Sequence, residues 1–256
     1  VTTNLEGKRM SQNLLGIDVG GSSVKAGVVD VKTGHLVGEM ISAPTPRPST
    51  PERLAAVIVG LAARLPQATG SVGVAFPSVV RNGVIRTAAN IDHSWLGANG
   101  AAVVGKALGR PVVFLNDADA AGLAEMRWGA GKDVQGTAMM LTFGTGIGSA
   151  LFVGGRLFPN TELGHLELNG MDAEKFASAH VRTALKLDFP AWSERVNVYL
   201  AQVHALFWPD VIILGGAVSE RYAEFSGLLK CDAPLRPAQF AGQAGVIGAA
   251  MASSES

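Results

Sequence analysis

Asp117 follows the apolar run Val112-Val113-Phe114-Leu115 and Asn116, immediately ahead of an alanine-rich stretch. A carboxylate so placed lies at the carboxyl end of a strand, where open sheets hold their ligands. It could act as a general base, taking a proton from a substrate hydroxyl and contributing ~10²–10⁴ in rate. Asp ahead of a helix is also a favoured N-cap, accepting a backbone N–H, and Asp119 is the better cap if the helix begins one step later. The local sequence leaves both readings open. A second group, Glu162-Leu163-Gly164-His165-Leu166-Glu167, sets a carboxylate and an imidazole three apart after the Pro159-Asn160 turn. That pair suits hydroxyl groups or a metal, or a helix start with the glutamate favourable to its dipole. Zinc asks for further Cys or His nearby; Cys231 is remote, and His180 and His204 fall in helical stretches, so hydroxyl recognition fits better.

Two glycine-hinged turns could hold an anion. Ile17-Asp18-Val19-Gly20-Gly21-Ser22-Ser23-Val24-Lys25 and Leu141-Thr142-Phe143-Gly144-Thr145-Gly146-Ile147-Gly148-Ser149 each read as strand, tight polar turn, strand. Missing Cβ atoms let backbone N–H groups approach an anion and permit positive φ angles that aim successive N–H groups inward. Such turns also simply close hairpins, but a pair in similar places of two halves, with Asn116-Asp117 between, predicts two jaws on a phosphate chain. Gly215-Gly216, after an apolar strand, could receive a nucleotide or merely end that strand. Lys25, Lys132 and Arg156 lie near the glycine turns in sequence and could line a groove for a polyanion or be solvated charges. The segment 88–95 is polar with one large aromatic, Trp95, as in a sugar-contact loop or a turn with a packed tryptophan.

The elements that must position these groups follow from periodicity. Residues 14–31 predict a strand pair around Gly20-Gly21, and 35–41 a third strand, forming an antiparallel meander. Pro44, Pro46, Pro48 and Pro51 interrupt regular structure until Glu52, after which Leu54, Val57, Ile58, Leu61 and Leu65 recur at helical spacing. Strands at 71–76 and 112–115 alternate with helices, the second from about Asp119 to Trp128, so these strands add in parallel. The second half repeats the scheme with strands near 138–143 and 149–153, a helical middle from about Ala173, a strand at 211–214 and a small-residue helix near 242–252.

At 256 residues the chain has room for a large core split into two lobes, here expected at 12–117 and 118–256, with the helix near 242–252 crossing back to the first. Hydrophobic residues make up 48% and charged residues 16%, the composition of a globular protein rather than a disordered one. The formal net charge is zero, which removes any bulk electrostatic case for nucleic acid or membrane as partner. A single cysteine leaves no disulfide framework and fits a reducing cytoplasm. Residues 1–9 are polar and do not read as a secretory signal.

Taken together, Gly16-Ile17-Asp18-Val19-Gly20-Gly21, Leu115-Asn116-Asp117-Ala118-Asp119-Ala120-Ala121-Gly122, Phe143-Gly144-Thr145-Gly146-Ile147-Gly148 and Glu162-Leu163-Gly164-His165-Leu166-Glu167 resemble the ROK (repressor, open reading frame, kinase) family of sugar kinases. Within it they resemble most the polyphosphate glucokinase and glucomannokinase branch, from about Leu14 to Ala252. The resemblance implies an α/β fold of two actin-like (ribonuclease H-like) lobes with mixed sheets around a central cleft. It implies transfer of a phosphoryl group from polyphosphate or ATP to the 6-hydroxyl of glucose, with mannose a further acceptor, Mg²⁺ as cofactor and a homodimeric, cytoplasmic enzyme. Asp117 would be the base; Asn90, Asn116, Asp117, Glu162, His165 and Glu174 would hold the sugar. Asp18, Gly20, Gly21, Ser22, Ser23, Lys25, Gly144, Thr145 and Gly146 would hold the donor phosphates, Asp18 also the Mg²⁺ directly or through water, and Gly215 and Gly216 the adenosine side of ATP. Two departures stand out. Where most relatives carry a cysteine-rich zinc motif, this chain has Leu168-Asn169-Gly170-Met171-Asp172, which implies no zinc site and frees His165 from metal duty. Few residues precede the first strand, so the helix-turn-helix of the repressor members is not expected. A strictly ATP-dependent sugar kinase and a non-catalytic sugar sensor are the rival readings; keeping Asp117 argues against the sensor.

Overall fold

The computed structural model describes residues 13–89 and 91–254. β1 (Asn13–Val19) turns into β2 (Ser23–Asp30), an antiparallel pair that sets Asp18 opposite Lys25. The single strand expected at 35–41 is instead two short ones, β3 (His35–Leu36) and β4 (Ile41–Pro44), both paired with β2. Gly38 between them has φ +87°, a left-handed backbone that carries the chain out of the ladder. α1 (Pro51–Ala63) begins one residue before the expected Glu52, because proline's fixed φ suits the first helical turn and Thr50 caps it. Its Leu54, Ala55, Ile58 and Leu61 form the buried stripe.

β5 (Val72–Phe76) adds to β1 in parallel, a small hairpin of β6 (Val80–Arg81) and β7 (Val84–Ile85) follows, then α2 (Gly100–Leu108) and β8 (Val112–Asn116), parallel to β5. α3 (Asp117–Trp128) leaves the end of β8 directly, two residues earlier than expected. The second half follows the same scheme. β9 (Thr137–Phe143), β10 (Ile147–Val153) and β11 (Arg156–Phe158) form an antiparallel meander. After a hairpin of β12 (Glu167–Leu168) and β13 (Met171–Asp172) come the short α4 (Ala173–Ala177) and α5 (Ala179–Ala184) and the long α6 (Phe189–Phe207). β14 (Val211–Gly215) pairs in parallel with β9, and β15 (Leu235–Pro237) with β14, before α7 (Ala244–Ser254).

The sheets, ordered β3-β2-β1-β5-β8 and β11-β10-β9-β14-β15, are the inner layers of a helix–sheet–helix–sheet–helix stack. α1 and α2 pack outside the first sheet around Leu54, Ile58, Trp95 and Val104; α6 packs outside the second around Trp192, Val196, Tyr199 and Leu200. Between the sheets lie α3 and α7, whose contacts use Ala120, Ala121, Ala124, Val246, Ile247, Ala249 and Ala250. A helix apolar all round belongs in such a middle layer. Its side chains are small because the backbones nearly touch. A Cβ on Gly16 would collide with the Val246 carbonyl, on Gly73 with that of Ala249, and on Gly248 with that of Ala120. Among the described residues no helix is long and apolar enough to cross a membrane.

Gly73→Ala should therefore cost about 1–3 kcal/mol in urea unfolding, the usual penalty of overpacking. Gly60→Ala on α1, where an added Cβ meets nothing within 4 Å, should instead gain roughly 0.5–1 kcal/mol.

Candidate functional site

Asn116, the last residue of β8, is the N-cap of α3: its Oδ1 accepts the Ala118 N–H at 2.8 Å and the Asp119 N–H at 3.0 Å. Its Nδ2 donates to the Ser78 carbonyl at 3.2 Å. Capping thus falls on Asn116 rather than on Asp117 or Asp119. The amide still keeps its second Nδ2 hydrogen, and Asn116 lines the cleft beside Asp117. Asp117 becomes the first helical residue, and its Oδ1 also takes the Ala118 N–H at 2.8 Å. The carboxylate is hemmed in by protein yet open to the cleft. That confinement, reinforced by the negative charges of Asp18 and Glu162, raises its pKa to about 7.

A cleft of about 920 Å³ runs between the sheets, and Asp117 shares its lining with Asp18, Gly20, Gly21, Ser22 and Lys25 from the first turn and Gly144, Thr145 and Gly146 from the second. Asp18 ends near α7, where a Cβ on Gly245 would lie 2.9 Å from its carboxyl carbon; burial raises its pKa against the lowering effect of Lys25. Lys25 Nζ donates to the Gly242 carbonyl at 3.3 Å, bringing the approach to α7 up to β2.

The glycine turns work differently from expectation. None of Gly20, Gly21, Gly144 and Gly146 has positive φ. The Gly20 N–H is spent on the Ser23 carbonyl at 2.9 Å and the Gly144 N–H on the Gly146 carbonyl at 3.0 Å, so neither amide is free for phosphate. Gly21 and Gly144 face open space, while a Cβ on Gly146 would collide with the Glu174 carboxylate. Glycine serves here to clear room above the turns and to admit Glu174. Ser23 belongs to the β2–β4 ladder and does not line the cleft. Gly216, φ +84°, lines it with Ala217 and Glu220, and a Cβ there would strike the Phe143 carbonyl. Gly215 does not; it packs against Met140, Thr142 and Ala238 within β14.

At the other end, Gly164 presses on the Ile147 carbonyl and so holds the 3-10 turn Leu163–His165 over the second glycine turn. Glu162, His165 and Glu174 all line the cleft. His165 stands between two carboxylates, 3.8 Å from Glu162 on Nε2 and 3.8 Å from Asp172 on Nδ1, and Asp172 also holds Lys175 at 2.8 Å. Burial raises the Glu162 pKa, His165 lowers it and Glu174 raises it. Ligand atoms of His165, Asp172 and Glu174 lie within 4.8 Å of one another, a spacing a metal could use, although Lys175 already answers Asp172. Asn90 lies outside the described residues. Lys132 and Arg156 are exposed and away from the cleft, whose cations are Lys25 and Arg47. Trp95 is a core side chain, fully buried, its ring centroid 4.9 Å from that of Phe76 in a tilted pair, and it donates to the Ser49 carbonyl.

Sequence reading missed Thr45, Arg47 and Ser49, which line the cleft from the proline-rich loop, and Gly245 from α7. The prolines signalled only irregular backbone. That the loop is tied to the site follows from contacts remote in sequence: Thr45 Oγ1 donates to the Gly20 carbonyl at 2.6 Å, and Ser49 Oγ accepts the Asp92 N–H at 3.1 Å.

A model described as ROK family matches residues 14–181. The chain is 45% identical to the polyphosphate glucokinase of Mycobacterium tuberculosis over 257 aligned residues, 98% of this chain and 95% of that protein. In structure it is similar to the inorganic polyphosphate/ATP-glucomannokinase from Arthrobacter sp. strain KM, with TM-score 0.92 and 45% identity over 95% of this chain and 98% of that one. A ROK family glucokinase from Streptomyces griseus, solved with glucose and AMPPNP, gives TM-score 0.82 at 24% identity over 95% of this chain and 100% of that one, a likeness of fold. The architecture is thus the actin-like (ribonuclease H-like) one, with mixed sheets around the cleft.

Asp119, two residues beyond Asp117, supplies a test of the local electrostatics. It is buried; its Oδ2 accepts the Asn160 N–H at 2.8 Å, its Oδ1 has no partner, and burial raises its pKa to about 7. A raised folded pKa means stability present in full below the ordinary carboxylate range and lost as pH rises through about 7. Asp119→Asn stays neutral and keeps an acceptor, so the Tm of the variant relative to the parent should climb between about pH 4 and pH 7 and level off above. Calorimetry at several pH values measures it.

Proposed function

Because the chain belongs to the ROK family, we propose that it is a hexokinase-type phosphotransferase, moving a terminal phosphoryl group from polyphosphate or ATP to the 6-hydroxyl of glucose, with mannose as a further acceptor. The observation that carries this reading is the division of labour at the start of α3: Asn116 caps the helix, so the Asp117 carboxylate, on the cleft floor between the two turns, is left for a substrate. Near-complete alignment at 45% identity with a polyphosphate glucokinase supports the choice of donor and acceptor.

In this reading Asp117 takes the proton of the attacking hydroxyl. A carboxylate with a pKa of about 7 is both a stronger base than an ordinary one and ionised in a good fraction at neutral pH. Glu162, His165 and Glu174 hold hexose hydroxyls; carboxylates and imidazole are acceptors matched to a ring of O–H donors. Ser22, Thr145 and the Gly21 side of the first turn flank the donor, and Gly216 with Ala217 takes the adenosine side when the donor is ATP. Phosphoryl transfer needs positioning and charge neutralisation more than covalent help. The cleft cannot neutralise a polyanion by itself, since Asp18, Asp92, Asp117, Glu162, Glu174 and Glu220 face only Lys25, Arg47 and His165. Asp18 and Asp117, whose charges oppose each other, fit a divalent cation, with Asp18 as its holder. Mg²⁺ there would supply charge neutralisation on the donor oxygens. The same reading divides the chain at 12–117 and 118–256, with α7 serving the first lobe, and carries the expectations of a cytoplasmic location and a homodimer.

Asp117→Asn should lower kcat by ~10²–10⁴ while hexose KM moves far less. The assay is a grid of glucose and mannose against polyphosphate and ATP, with and without Mg²⁺; a variant keeping most of its kcat removes Asp117 from the base role.

A further inference from the structure

Asn160 lies on the loop between β11 and Glu162, with φ +61°, a left-handed conformation that asparagine tolerates better than most residues. Its Oδ1 accepts the Val80 N–H at 2.8 Å and its Nδ2 donates to the Val80 carbonyl at 3.0 Å. The side-chain amide thus pairs with Val80 in both directions, as a backbone residue does in an antiparallel bridge. Its own N–H donates to Asp119 Oδ2 at 2.8 Å.

Each partner belongs to a different wall of the cleft. Val80 opens the β6–β7 hairpin carried by the first sheet, and at its base the Val79 N–H donates to Thr87 Oγ1 at 2.9 Å; Ser78 and Thr87 line the cleft. Asp119 lies in the first turn of the helix that presents Asp117. Thr161 and Glu162, next along the chain from Asn160, line the cleft from the second sheet, where Ser149 Oγ donates to the Thr161 carbonyl at 2.8 Å and accepts the Leu163 N–H at 3.0 Å. One residue therefore joins the walls, its side-chain amide reaching Val80 of the first-sheet side and its backbone N–H the helix of the base.

We propose that Asn160 is a positioning residue that clasps the two hexose-side walls of the cleft together and so sets hexose affinity; the assignment of that end to the hexose rests on the function proposed above. Asn160 touches no reacting atom. Its effect passes through Glu162 and Thr161 on one side and Ser78 and Thr87 on the other, while the glycine turns that face the donor lie outside its contacts.

The test uses the intact chain with Asn160→Gly, which keeps the left-handed backbone and removes the amide, and Asn160→Asp, which keeps the acceptor for Val80 N–H and loses the donor. Glucose Kd by calorimetry, glucose KM, donor KM, kcat and Tm are measured for the parent and both variants. Loss of the paired bonds should raise glucose Kd and KM roughly tenfold in Asn160→Gly, with Asn160→Asp intermediate and donor KM within about twofold of the parent. Glucose constants within about twofold of the parent, or an equal rise in donor KM, overturn the clasp; a fall in Tm alone would mark a merely structural asparagine. Should Asn160→Gly fail to fold, the same criteria apply to Asn160→Asp. A parent that neither binds nor phosphorylates glucose instead overturns the function on which the clasp rests.

Discussion

The near-contact of α7 with the first sheet on one side and with α3 on the other is the constraint on which the cleft depends. Gly16, Gly73 and Gly248 each stand where a single methyl group would run into a carbonyl of the neighbouring backbone. Packing at that distance leaves no room for adjustment, since interiors are filled like crystals. It also fixes the chemistry: Asp18 at the end of β1 meets the start of α7 at Gly245, and Asp117 at the start of α3 lies across the same floor. Two acids far apart in sequence, one ending a strand and one opening a helix, are brought together by a layer of alanines and glycines.

Those acids sit in a cleft with more negative than positive side chains, and burial pushes Asp18, Asp117 and Glu162 all toward protonation. A site of this kind is costly to keep ionised while empty and is relieved when cations enter with an anionic donor. On the function proposed above, specificity for the acceptor and tolerance of the donor have separate origins. On the proposed assignment the hexose end is built from the carboxylates and imidazole of Glu162, Glu174 and His165, and the donor end from the small residues of the two glycine turns.

Much of this was legible in the sequence where one signal had one local cause. The hairpins at Gly20-Gly21 and Gly144–Gly146 and the strand leading to Asp117 followed from alternation and turn residues. Elsewhere several residues competed for one role. Asn116, Asp117 and Asp119 are all good caps, and the choice fell to Asn116 because β8 runs one residue further, to that asparagine. Trp95 read equally as a contact or a core residue until Phe76 and Phe114 were found to enclose it. The glycine turns line the cleft but lack the positive φ angles expected of them, because the ladder around them sets the backbone. Thr45 and Arg47 gave no signal because their place in the cleft depends on hydrogen bonds between distant segments, which no spacing along the chain encodes.

The position of α7 in the chain has a consequence for synthesis. The surface of β1 and β5 that it covers, around Gly16 and Gly73, is complete once β5 has been made, yet its cover is the last of the described elements to leave the ribosome. Contacts between residues near 16 and 246 close one of the longest loops the chain contains, and such closures slow folding. Throughout that interval the half-finished sheet exposes an apolar face to other nascent chains, the condition in which aggregation competes with folding. Chaperone demand should therefore concentrate on this first sheet, and a chain interrupted before α7 would be cleared by proteolysis rather than accumulate as a stable fragment.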